Sequence, residues 1–160
     1  MYDNNTPYED PSGTAGSYSL GMLSIVDDLL ALNFDPQGFR YINVAMDISS
    51  IGVNPGPGCI ASIAIADPIF GISAIDSPSG TPLLSGNTLA QGDMTGTVAP
   101  NPWTYLWTRH VVSLDLSALT AGGTVSILFQ LLQSGYAAFD NLVITASDTP
   151  LSAQDESCSR

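Results

Sequence analysis

Residues Arg40–Ile48, RYINVAMDI, alternate without a break. Ile42, Val44, Met46 and Ile48 take the even positions, and Tyr41, Asn43 and Asp47 point the other way. Successive side chains of an extended chain face opposite sides, so this parity describes a strand with one face against a core. The segment 123–132 repeats it, with Val125, Ile127, Phe129 and Leu131 opposed to Thr124, Ser126 and Gln130. So does 110–116, with Val112, Leu114 and Leu116 against Val111, Ser113 and Asp115. Further strands are expected at 19–25, 28–34, 60–66, 70–75 and 136–146. One helix competes, over 25–32 (IVDDLLAL), but it lacks an N-terminal cap and runs into the strand-like NFDP.

Fifteen Gly and 11 Pro punctuate the chain between these segments. About eight short strands, turn-rich connections and almost no helix indicate an all-β antiparallel β-sandwich or barrel. No internal repeat stands out, which argues against a propeller or solenoid. The 160 residues fit one domain. We divide the chain into an N-terminal arm at 1–18, a β-domain at 19–147 and a C-terminal tail or linker at 148–160 (DTPLSAQDESCSR).

Charge narrows the partners. Fifteen acidic residues face three basic ones, Arg40, Arg109 and Arg160, for a formal net charge of −12. A phosphate backbone would be repelled, so nucleic acid is excluded as a partner, and anionic membrane surfaces are disfavoured. Cations and neutral polar ligands are left. No apolar run is long enough to span a bilayer. The opening MYDNNTPYED is not a signal peptide. For an exported protein the leader would then precede residue 1, and the Ser-, Thr-, Gly- and Asn-rich surface points to a secreted or cell-surface location. Cys59 and Cys158 leave two readings open, one disulfide or two separate thiols.

The second half, WTRHVVSLDLSALTAGGTVSILFQL followed by YAAFDNLVITA, resembles the end of extracellular β-jelly-roll modules. These are the galactose-binding-like and carbohydrate-binding-module sandwiches of secreted bacterial proteins. Leu114-Asp115-Leu116-Ser117, Gly122-Gly123 and Phe139-Asp140-Asn141-Leu142 occupy the places of the family's motifs. The resemblance covers about residues 103–146 and implies jelly-roll topology for the sandwich. Its motifs specify a fold more than a function.

Asp140-Asn141 interrupts the closing strand YAAFDNLVITAS. By unbroken parity Asp140 shares a face with Leu142 and Ile144, and Asn141 shares one with Phe139 and Val143, so either register aims a polar group near the core. A buried carboxylate needs a partner or a cation. In the resembling modules the matching aspartate commonly binds a structural calcium, for which Asp27 and Asp28 are the candidate partners here. The other reading has Asp140 capping backbone N–H groups without a metal. A glutamate near the start, part of the usual pattern, has only Glu9 as a candidate.

Trp103, Tyr105 and Trp107 share one face if their segment is extended, roughly 6.6 Å apart, a spacing suited to stacking on sugar rings. They form either an exposed ligand platform or a plug at one end of the sandwich. Catalytic constellations are weak: the single histidine, His110, lies on the apolar parity of Val112 and Leu114, and no carboxylate pair stands out. Zinc and phosphate-loop patterns are absent. The expected function is non-catalytic binding of a glycan or cell-surface component. The alternative is a self-assembling surface or filament subunit, forming homo-oligomers through exposed strands or tails.

Overall fold

The computed structural model describes residues 21–23, 26–50, 66–98, 104–133 and 137–152, with the backbone alone at 21–23. Among these residues eight strands form: β1 (Gly21–Leu23), β2 (Leu29–Phe34), β3 (Tyr41–Ser50), β4 (Ile69–Asp76), β5 (Thr88–Thr95), β6 (Thr108–Asp115), β7 (Val125–Gln133) and β8 (Ala137–Ser147). They make two four-stranded sheets, ordered β1-β8-β3-β6 and β2-β7-β4-β5. All strand pairs are antiparallel, and β1 pairs β8, β2 pairs β7, β3 pairs β6 and β4 pairs β5. That nesting of first with last is a long hairpin rolled up on itself. Pairing of β3 with β8 and of β4 with β7 then closes the two sheets. The chain is thus an all-β antiparallel sandwich with jelly-roll topology.

Parity places the core as the sequence implies. Ile42, Val44, Met46 and Ile48 are fully buried between the sheets and meet Phe70, Ile72, Ile127 and Phe129 from the facing layer. Phe139 adds an edge-to-face contact with Phe70, at 5.8 Å and 78°. The competing helix does not form: Leu29–Phe34 runs as β2 against β7, and there is no helix among the described residues. β5 was not legible in the sequence. Its inward residues are Ala90, Gly92 and Met94, too small a signal for periodicity to register. Gly92 is small for a reason. A Cβ there would lie 2.4 Å from Val112 Cγ2, because β5 of one sheet and β6 of the other meet along this edge. The strand expected at 60–66 lies outside the described residues, apart from Ala66.

Two features depart from simple alternation. First, β3 is buried on both faces, not one. Asn43, Asp47 and Ser49 on its outer side are 1%, 7% and 0% exposed. As second strand from the edge it is flanked by β8 and β6, and its polar outer residues survive burial by hydrogen bonding. Second, the β3–β8 register shifts between Ala45 and Asp47. Ala45 faces Val143 but Asp47 faces Asp140, so β8 carries one extra residue. This β-bulge puts Asn141 in the left-handed region, at φ 47°, a conformation that Asn tolerates better than most residues.

The bulge resolves the parity conflict of YAAFDNLVITAS. Phe139 has parity opposite to that of Leu142 and Ile144, yet Phe139 is buried in the core and Leu142 and Ile144 pack against it. Unbroken alternation cannot do this, and one inserted residue can. The expectation that a polar side chain is aimed at the core is therefore corrected. Asp140 faces outward beside Asp47, and the bulge absorbs Asn141.

Candidate functional site

The aromatic segment approaches β6 along the end of β3. Leu106 N–H donates to Ser49 Oγ at 2.8 Å, fixing residues 104–107 against the last turn of that strand. Ser49 Oγ in turn donates to the Ser50 carbonyl at 2.9 Å. Beyond β5 the chain joins them: Ser49 bridges Thr97, Ser50 N–H donates to the Thr97 carbonyl at 3.3 Å, and the Thr97 and Thr108 hydroxyls are 2.9 Å apart. One end of the sandwich thus gathers a hydroxyl-rich shelf from three separate segments.

On this shelf Tyr105 and Trp107 stack face to face, with ring centroids 4.7 Å apart and planes 23° from parallel. They share a side, as an extended segment predicts, but at ring-contact distance and not as separate steps of a row. Each is half-buried, and Leu106 between them is 44% exposed. Trp107 Nε1 is buried and, among the described residues, has no acceptor, an arrangement that costs about 1–3 kcal/mol until an acceptor meets it. Trp103 lies outside the described residues.

The acidic candidates are dispersed. Asp27, at φ 73°, opens β2; its N–H donates to the Leu131 carbonyl and its Oδ1 accepts from Gln130 Nε2 at 2.9 Å. The Asp28 carbonyl accepts from Leu131 N–H at 3.1 Å. Both precede a strand of the β2-β7-β4-β5 sheet, whereas Asp140 belongs to the other sheet, where its Oδ1 accepts from Asn141 N–H at 2.7 Å. Calcium takes six to eight oxygen ligands. Among the described residues no three His, Cys, Asp or Glu side chains gather into a possible metal site, and Asp27 and Asp28 stand just before β2 while Asp140 lies on β8.

What surrounds Asp140 is a network that the sequence did not reveal. Asn141 Nδ2 donates to Asp47 Oδ2 at 2.7 Å, Arg109 donates to the Asn141 carbonyl at 2.7 Å, and Arg109 lies 3.7 Å from Asp47 Oδ1. Four residues from three strands thus share their charges and donors around the bulge. The available signal was cross-strand register, which cannot be read before pairing is known. On the inner side of β6, His110 stands opposite Met46. Its Nε2 is buried without a partner among the described residues. Desolvation holds its pKa below the ordinary 6.5, against a smaller opposing pull from Asp47. That environment suits a packed imidazole.

At the far end, Arg40 Nη2 pairs with Asp115 Oδ2 at 2.8 Å, and its guanidinium lies 5.1 Å from the Tyr41 ring centre. Hydrogen bonds from Arg40 and from Ser117 N–H hold the Asp115 carboxyl at about 2, below its usual 3.8. No helix among the described residues is long and apolar enough to cross a membrane.

No protein-family model and no curated protein matches the sequence. Solved structures do superpose on the chain. One is described as "CBM4 structure and function", with TM-score 0.49 and 8% identity over 79% of this chain and 70% of that one. Another is the family 11 carbohydrate-binding module from Clostridium thermocellum in complex with a β-1,3-1,4-mixed-linked tetrasaccharide, with TM-score 0.36 and 14% identity over 78% and 72%. A third is the Clostridium thermocellum xylanase 10B CBM22-1–GH10 pair complexed with xylohexaose, with TM-score 0.41 and 11% identity over 82% of this chain and 27% of that one. The likeness is one of fold. The strand order by itself establishes that fold: an antiparallel jelly-roll β-sandwich.

Proposed function

We propose that this domain is a non-catalytic binding module for glycans, acting outside the cell, with Tyr105 and Trp107 at its ligand site. The observation that carries this reading is the stacked pair Tyr105–Trp107, on the segment that Leu106 N–H ties to Ser49 and that runs directly into Thr108. An aromatic face takes the apolar C–H side of a sugar ring, and neighbouring hydroxyls both donate to and accept from its OH groups. A net charge of −12 favours neutral or cationic glycans over sulfated or uronic ones. Trp103, adjacent in sequence, belongs to the same proposed site.

Binding to a panel of immobilised neutral polysaccharides tests this, with Tyr105→Ala and Trp107→Ala compared against the parent chain. Each variant should retain its β-sheet circular dichroism and bind about tenfold more weakly, which corresponds to about 1.4 kcal/mol. A folded Tyr105→Ala variant with unchanged affinity would exclude the site. A parent chain that retains no polysaccharide would exclude the function.

The second reading is a self-assembling surface subunit, joined through exposed strands or tails. Analytical ultracentrifugation across a hundredfold concentration range separates the two: a constant monomer mass supports the binding module.

A further inference from the structure

Strand β3 carries a buried amide whose partners come from β6, from the last residue of β8 and from the segment that follows it. Asn43 is 1% exposed, on the outer face of the β1-β8-β3-β6 sheet. Its Nδ2 donates to Ser147 Oγ at 2.7 Å. Its Oδ1 accepts from Ser113 Oγ at 2.6 Å and from Leu151 N–H at 3.1 Å. Ser113 Oγ lies 3.0 Å from both Leu151 N and Leu151 O. Asn43 and Ser113 are cross-strand partners on β3 and β6. After Ser147 the chain thus turns back across the sheet, and two neighbouring side chains meet the N–H and C=O of one residue, the single Ser113 hydroxyl proton being shared between Asn43 Oδ1 and the Leu151 carbonyl. Ser147 Oγ, bonded to the Thr149 carbonyl, tightens that turn.

We propose that Asn43 and Ser113 form a binding site for an extended peptide backbone, filled by the chain's own segment Asp148–Ser152 as a strap over the sheet. Three points carry this. The contacts fall on the N–H and C=O of Leu151, so the site reads main chain and not side-chain identity. A buried amide and a serine hydroxyl make poor surface on their own, because without the strap the Asn43 and Ser113 oxygens lose their main-chain donor. Finally, attachment four residues upstream, where Ser147 is still paired with Tyr41, keeps the strap at high effective concentration. Weak individual bonds then suffice for near-complete occupancy. Residues 148–152, the start of the expected C-terminal tail or linker, form part of the sheet's cover.

Amide hydrogen exchange on the full chain tests the strap, read at Leu151 by NMR. Leu151 N–H should exchange at least tenfold more slowly than its random-coil rate. Ser113→Ala should remove most of that protection while leaving the amides of β3 and β6 protected, which separates release of the strap from unfolding. A Leu151 amide that exchanges at its random-coil rate, or protection indifferent to Ser113→Ala, would overturn the proposal. A second arm tests the site itself. In the full chain bearing Leu151→Pro, which deletes the donor, a millimolar synthetic peptide of residues 146–152 should shift the Asn43 side-chain NH2 resonance toward its position in the parent. No shift in a folded Leu151→Pro variant would overturn the reading of a backbone receptor.

Discussion

Asn141 Nδ2 donates to Asp47 Oδ2 at 2.7 Å across the β3–β8 bulge, joining a left-handed residue to a carboxylate that is 7% exposed. The bond explains why Asn occupies the bulge. It tolerates the backbone conformation and supplies a donor to a buried charge. Asn141→Ala loses both and should destabilise the domain by about 2–4 kcal/mol. Asn141→Gly keeps the backbone freedom and should lose about 1–2 kcal/mol less. Urea denaturation of the two variants checks the order; equal losses would deny that the left-handed position matters.

Gly92 and Val112 form a second matched pair, because β5 and β6 approach so closely that a Cβ at Gly92 would clash with Val112 Cγ2 at 2.4 Å. Valine is stiff at χ1 and cannot swing aside cheaply. Gly92→Ala should therefore destabilise by about 1–3 kcal/mol, as overpacking does. In the double variant Gly92→Ala/Val112→Ala the two losses should be less than additive, measured as a thermodynamic cycle.

Acid should weaken the fold in two separate windows. His110 has a folded-state pKa below its ordinary 6.5 because burial disfavours the imidazolium. Its contribution is fully present above 6.5 and is lost as pH falls through the folded value, since the unfolded chain takes up the proton first. His110→Leu should flatten the stability profile as pH falls below about 6.5. Asp115 behaves in the same direction lower down: with its folded value at about 2 and its usual value 3.8, its contribution holds above 3.8 and fades as pH drops through 2. Arg40→Ala should return the Asp115 titration toward 3.8, followed by its side-chain carbon shift.

Calcium gives a fourth test. An ion held at a hundred times its Kd would add about 2.7 kcal/mol. In a chain of this size that raises Tm by about 5–11 °C. With Asp140 serving the bulge and Asp27 and Asp28 in the opposite sheet, the melting midpoint should be the same in calcium and in chelator. A calcium-dependent rise would show that the domain assembles a site after all.

Much of this architecture is written in local pattern. The alternation of Ile42 to Ile48 and of Val125 to Leu131 set both strands and their inward faces, because a pleated chain has a fixed two-residue period. The resemblance of Leu114–Ser117 and Phe139–Leu142 to jelly-roll motifs led to the topology that the strand order shows. The strap, the bulge and β5 were out of reach for one shared reason. Each depends on what lies across a strand or sheet boundary: Ser113 beside Asn43, Asp47 beside Asp140, Val112 against Gly92. The aromatic segment was visible as Trp103, Tyr105 and Trp107, but the ring stacking of Tyr105 on Trp107 was not, because the hydrogen bond from Leu106 to Ser49 positions it. By itself the sequence determined an all-β chain with its apolar faces turned inward, since short-range periodicity is enough for that. Tertiary structure alone decided where Asp140 points and how the chain's end is held, because both follow from register between strands about a hundred residues apart.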